Sequence, residues 1–154
     1  MLADILSSET IVVPLQNTDK NSVIEELVSK LDETKKITNR RDVLQAILDR
    51  EAVMSTGVGD GVAIPHGKCD AVNELVAALG VTKDPLNFDS IDQQPVRLVW
   101  LLVGPSGKTG PHLKALSRIS RLMHNSHFRD SVISAPTPQN VLDFIKEEEN
   151  RYFE

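Results

Sequence analysis

Apolar residues recur along this chain with two different periods, and the switches between them lay out the elements. Leu2, Ile5 and Leu6 suggest a short apolar turn ahead of Ser7 and Ser8. TIVVPL at 10–15 is short and β-branched, so it reads as a strand. Pro14 marks it as an edge or a strand terminus. Between Asp19 and Leu31, the residues Val23, Ile24, Leu27, Val28 and Leu31 share one helical face. Lys20, Glu25, Glu26 and Lys30 fall largely off it, and Asp19 or Asn21 is the expected cap. After the polar DETKKITN, Asn39 opens a second helix with Val43, Leu44, Ile47 and Leu48 facing the core, ending near Ala52.

The segment STGVGDGVAIPHGKCD at 55–70 breaks the helical period. Glycines at 57, 59 and 61 disfavour a helix. VAI at 62–64 reads as a short strand that Pro65 stops, presenting His66 at its tip. LVAALGV at 75–81 is a further strand, followed by the turn-rich DPLNFDSIDQQP at 84–95. VRLVWLLVG at 96–104 is apolar almost throughout, which suits a central strand buried on both faces, with Trp100 in the core. PSGKTGPH at 105–112 reads as a loop, and Leu113, Leu116, Ile119, Ser120 and Met123 mark the helix after it. A short helix over 126–135 and a last one over 136–150, with Pro138 near its start, complete the pattern. The order β, α, α, β, β, β and three helices predicts an α/β domain, a sheet covered by helices. No repeat or linker divides residues 1–154, so one domain is expected.

Composition narrows the function classes. Seventeen Lys and Arg against 22 Asp and Glu leave a net charge of −5, which argues against nucleic-acid binding by phosphate neutralisation. The single cysteine, Cys69, excludes an intrachain disulfide and suits a reducing compartment. The start MLADILSSET lacks the basic and apolar regions of a signal peptide. LVWLLV at 98–103 is far short of the ~20 residues that cross a bilayer. A soluble cytoplasmic protein, not inserted in a membrane, is expected.

The chemistry concentrates at 50–68. A neutral imidazole is a nucleophile that forms covalent intermediates. A phosphohistidine, being a phosphoramidate, suits a relay. Such a relay needs an accessible ring nitrogen, a fixed tautomer and donors around the phosphoryl oxygens. Around His66, Gly67 would leave room for a partner, and glycine-loop N–H groups would form an anion-binding concavity. Ser55 and Thr56 would add hydroxyl donors, and Arg50 a planar fork of N–H groups.

DREAVMSTGVGDGVAIPHGK resembles the active-site segment of the type-2 enzyme IIA domains of the bacterial phosphotransferase system, the fructose–mannitol and nitrogen-regulatory group. The likeness includes an Arg before the glycine loop and the G-x-A-I-P-H-G core. A second histidine opening a later helix, His112 in GPHLKALSRIS, is also similar. The resemblance implies a mixed sheet sandwiched by helices, the mannitol-type IIA fold, and no cofactor. It implies that His66 is phosphorylated by the phosphocarrier HPr, that His112 orients the ring or contacts the phosphoryl group, and that Arg50 belongs to the site. If His112 lies in the first helical turn, free N–H groups and the dipole there favour an anion. The acceptor would be a IIB domain on another chain, serving sugar uptake. Alternatively the chain is a free-standing nitrogen-regulatory protein whose target binding follows its phosphorylation state.

Plainer readings stand beside these. His66 could be a turn residue, His112 a helix-start cap and Arg50 a solvated helix end. GVGDG is followed by no G-K-[ST], and GPSGKT is two residues short of a Walker loop. His124 and His127 suit capping or surface positions, and no paired spacing suggests a metal site. A His-centred hydrolase would lack its G-x-S-x-G elbow, and Cys69 reads as a passive thiol.

Overall fold

The computed structural model describes residues 1–153. Two short 3-10 turns, Leu2–Asp4 and Ser8–Thr10, precede strand β1, Ile11–Leu15. Helices α1, Lys20–Glu33, and α2, Arg40–Val53, follow. Three short strands come next: β2 at Gly57–Gly59, β3 at Val62–Ala63 and β4 at His66–Lys68. Long strands β5, Val76–Leu86, and β6, Val96–Gly104, lead to α3, Thr109–Met123, α4, Ser126–Ile133, and α5, Pro138–Phe153.

The sheet runs β1-β5-β6-β3-β2, with β4 also on β6. β1–β5, β3–β6 and β4–β6 are parallel, while β5–β6 and β2–β3 are antiparallel, so the sheet is mixed as expected. β1 lies at an edge, where Pro14 costs no ladder bond. β6 alternates between two cores. Leu98, Trp100 and Leu102 meet α3, α4 and α5 residues such as Ile119, Phe128 and Ile145. Val99, Leu101 and Val103 meet Val23, Leu27, Val43 and Ile47 of α1 and α2. Burial of both faces explains why its sequence is apolar without alternation.

Caps set three helix starts. Asp19 accepts the Ser22 N–H at 3.0 Å, Asn39 that of Asp42 at 3.0 Å, and Asn125 that of Phe128 at 3.2 Å. Of the two expected caps for α1, Asp19 is the one used.

Local differences from the expected elements gather around residues 55–70 and 84–112. The glycine-rich segment is not open loop: β2 and β3 form a hairpin whose turn has positive φ at Gly59, Asp60 and Gly61. Glycine tolerates those angles, which explains the spacing. β5 runs on to Leu86, beyond the expected end at 81. α3 begins at Thr109, three residues ahead of His112, because the chain winds as soon as it leaves the Pro105 turn. His66 is not a strand tip. It begins β4, which pairs with β6 in register His66↔Leu102. β3 and β4 thus form one strand interrupted at Ile64 and Pro65, both laid parallel along β6.

Candidate functional site

The interruption at Ile64 and Pro65 shapes the site. Leu102 N–H bonds the Pro65 carbonyl at 3.0 Å and carries the pairing across the break. Ile64 donates its N–H to the Thr56 carbonyl at 2.9 Å. Its own carbonyl lies 2.8 Å from Nδ1 of His66. A carbonyl only accepts, so the ring proton sits on Nδ1 and Nε2 keeps a free lone pair.

The half-buried His66 ring lies beside His112, with centroids 5.6 Å apart and planes inclined at 60°. The two histidines, 46 positions apart in the chain by number, therefore share one site. His112 is the fourth residue of α3 and only 3% exposed. Its Nδ1 is buried without a partner, near Gly104, where a Cβ would stand 3.6 Å away. By position, the Thr109 and Gly110 N–H groups of this first turn have no intrahelical partner.

Burial favours the neutral form of both rings. Burial pushes the His66 pKa below its ordinary value; the bond to Ile64 opposes this, Arg50 adds to the lowering and Glu51 counters it. His112 is pushed down to about 4, by burial first and then by the charges of His66 and Lys68. A neutral His66 with an unprotonated Nε2 is the nucleophilic form.

Arg50 lies in the last turn of α2 and donates Nη1–H to the Met54 carbonyl at 2.9 Å. Gly67 explains how α2 comes close to β4. A Cβ there would stand 3.3 Å from the Ala46 carbonyl group and from Ile47 Cγ1. Ala46 is one helical turn before Arg50, so this contact sets the arginine's height beside His66. Gly67 is buried against α2 and leaves no space for a partner; its missing side chain is spent on helix packing.

Ser55 and Thr56, expected as free donors, have their hydroxyls engaged. Ser55 donates to the Phe88 carbonyl at 2.7 Å and accepts the Gly57 N–H at 3.1 Å. Thr56 donates its hydroxyl to Glu51 Oε1 and its N–H to Oε2 at 2.8 Å. Both hydroxyls tie the glycine hairpin to its neighbours.

Two residues near the site escaped the sequence reading. Lys68 is exposed, bonds Thr109 Oγ1 at 3.0 Å and lends positive charge beside the start of α3. Its place next to Gly67 in the histidine segment was the available signal. Glu51 is 6% exposed and pairs with Lys20 Nζ at 2.8 Å. Burying a carboxylate costs several kcal/mol, and stripping a buried pair of one partner costs about 3–5 kcal/mol. It lies one and two turns beyond Ile47 and Val43, on their face, and that spacing could have revealed its burial. His124 and His127 are exposed at the α3–α4 junction. Among the described residues, no group of three His, Cys, Asp or Glu side chains is arranged to hold a metal ion, and no helix is long and apolar enough to cross a membrane.

A mixed sheet between helical layers, with two neutral histidines meeting at a helix start, is an architecture suited to carrying a group on an imidazole. The family model described as "Phosphoenolpyruvate-dependent sugar phosphotransferase system, EIIA 2" matches residues 4–148, and the chain belongs to that family. It is 39% identical over 144 residues to a nitrogen regulatory protein of Bradyrhizobium diazoefficiens, covering 94% of each. It is 35% identical over 146 residues to the fructose-specific EIIABC component of Bacillus subtilis, covering 95% of this chain but only 23% of that longer protein. Its fold matches the crystal structure of the nitrogen regulatory protein IIA-Ntr of Neisseria meningitidis with TM-score 0.87 and 31% identity, over 94% of this chain and 98% of the other. The type-2 IIA fold and family expected from the GVAIPHGK segment are those observed.

Proposed function

We propose that the chain is a phosphoryl carrier of the phosphotransferase system that takes its phosphoryl group from HPr on Nε2 of His66. The observation that carries this reading is the 2.8 Å contact between His66 Nδ1 and the Ile64 carbonyl, which leaves Nε2 as the nucleophile. In the transfer, the Nε2 lone pair attacks the phosphorus of an HPr phosphohistidine. An N–P bond forms on His66, and the N–P bond on HPr breaks with its electron pair returning to that ring. No proton has to move, because Nδ1–H remains on Ile64. Passing the group to a IIB acceptor follows the same steps with roles exchanged.

The surroundings serve this by positioning charge. Neutral His112, with no acceptor at Nδ1, carries its proton on Nε2 and donates it to a phosphoryl oxygen. Arg50, Lys68 and the start of α3 supply positive charge and N–H groups. Gly67 holds α2 close, and Ser55 and Thr56 hold the hairpin behind the site. Exposed Val53, Met54, Val58, Ile91 and Leu113 lie on segments that flank it, which suits protein partners. On this reading residues 1–154 act as one cytoplasmic domain that meets HPr and a IIB acceptor as its partners.

The similarity over nearly full length to a nitrogen regulatory protein favours a second role. Phosphorylation would bring about −1.5 to −2 charge to His66, enough to switch an interface with a regulatory target. Incubation with enzyme I, HPr and phosphoenolpyruvate, followed by intact mass, tests the carrier reading. An acid-labile gain of about 80 Da, lost in His66→Ala, is expected for the covalent step. No gain while HPr itself is labelled would reject it. Pull-downs with His66→Ala and with the phosphorylated protein test the switch, and identical partner sets would reject it.

A further inference from the structure

Glu51 is a carboxylate buried in the last turn of α2, where the helix dipole disfavours an anion. The transfer chemistry above makes no use of it. Its bonds nevertheless lead to the reacting ring. Oε2 takes Lys20 Nζ at 2.8 Å and the Thr56 N–H at 2.8 Å, and Oε1 takes the Thr56 hydroxyl. The Thr56 carbonyl in turn accepts the Ile64 N–H at 2.9 Å. The Ile64 carbonyl accepts the His66 Nδ1–H at 2.8 Å.

We infer that Glu51 is a positioning residue for phosphoryl acceptance: through Thr56 and Ile64 it aims the carbonyl that keeps the His66 proton on Nδ1 and leaves Nε2 to react. The inference rests on the reading of His66 as the phosphoryl acceptor. In a catalytic triad a carboxylate bonds the histidine directly and fixes its tautomer. Here a backbone carbonyl stands in that place. The Ile64–Pro65 peptide has no N–H of its own, so the aim of its carbonyl depends on its two flanks, the Pro65 carbonyl on Leu102 N–H and the Ile64 N–H on Thr56. Of these anchors Thr56 is held at both N–H and hydroxyl by one carboxylate.

The site is braced further. Lys20 lies over the Phe88 ring at 5.1 Å, and the Phe88 carbonyl holds Ser55, the neighbour of Thr56. Phe88 thus holds Ser55 directly, while Lys20 reaches Thr56 through Glu51. Glu51 also acts through its field, since its charge opposes the effect of Arg50 on the His66 ring. A carboxylate that only stabilised the fold would not need to be linked to the reacting imidazole by consecutive bonds.

The test uses Glu51→Gln, Thr56→Val and Thr56→Ser in the full chain. Nitrogen NMR of the unphosphorylated proteins at about pH 8 reads the His66 tautomer. Transfer from phospho-HPr is timed separately. Glu51→Gln and Thr56→Val are expected to shift His66 toward the Nε2–H tautomer and to slow acceptance by roughly tenfold or more. Thr56→Ser, which keeps the hydroxyl, is expected to match the parent in both. If Glu51→Gln and Thr56→Val lower Tm but leave tautomer and rate unchanged, Glu51 is an ordinary structural anchor and the inference fails. Thr56→Val keeps the carboxylate and its lysine in place, so it remains informative should Glu51→Gln fold poorly. Tautomer shifts in a protein that accepts no phosphate would uphold the linkage and overturn the carrier reading instead.

Discussion

Acid should weaken this protein through His112, and the size of the effect can be worked out. The ring is 3% exposed, its Nδ1 has no partner, and His66 and Lys68 add unfavourable charge. Its pKa is pushed from 6.5 down to about 4. In the unfolded chain the ring takes its proton near 6.5, whereas the folded chain refuses it until about 4. The unfolded state therefore binds more protons between those values, and stability falls as pH drops through that window. One pKa unit is worth ~1.36 kcal/mol, so the full shift corresponds to roughly 3 kcal/mol, most of it lost by about pH 4.5. His66 moves the same way, so the contribution must be isolated. Urea unfolding of the parent and of His112→Gln at about pH 7, 6, 5 and 4.5 does so by difference. The stability gap between parent and variant should shift against the parent by roughly 2–3 kcal/mol on acidification. A gap constant with pH would refute the argument, because it would mean that His112 titrates alike in both states.

Two further outcomes follow from the same geometry. Arg50→Lys keeps the charge but loses the planar fork, and should slow acceptance from phospho-HPr by roughly tenfold with stability nearly unchanged, as single-turnover rates and urea midpoints will show. Gly67→Ala puts a Cβ 3.3 Å from the Ala46 carbonyl and from Ile47. It should cost about 1–2 kcal/mol in urea and slow transfer by displacing Arg50; an unaltered rate in a destabilised variant would separate packing from the site.

How far the sequence reveals this protein depends on the range of the forces involved. Helices α1 and α2 announce themselves by their 3.6-residue period and their Asp19 and Asn39 caps, which are local. β6 is legible because burial on both faces removes nearly every polar position, Arg97 apart, over a stretch too short for a membrane helix. β4 is not legible. Three residues after a proline carry no period, and they become a strand only because β6 lies alongside. Of the site, His66 and His112 stand out through their motifs, and their ring contact agrees with that pairing. The use of Gly67 could not be read locally, since it depends on Ala46 and Ile47 of α2, 21 and 20 positions away in number. Thr56 was expected as a donor to phosphate, yet its hydroxyl turns inward, because Glu51 is buried and needs a donor. A charged residue at a helix end looks solvated unless its register with Val43 and Ile47 is counted.

The central claim is that phosphate rides on Nε2 of His66 while the proton stays on Nδ1 with the Ile64 carbonyl. Phosphorus and nitrogen NMR of the protein freshly phosphorylated by HPr tests it most directly. The account predicts a single phosphohistidine at His66, with phosphorus coupled to Nε2 and a retained Nδ1–H. Phosphorus on Nδ1 of His66, or on the ring of His112, would contradict it.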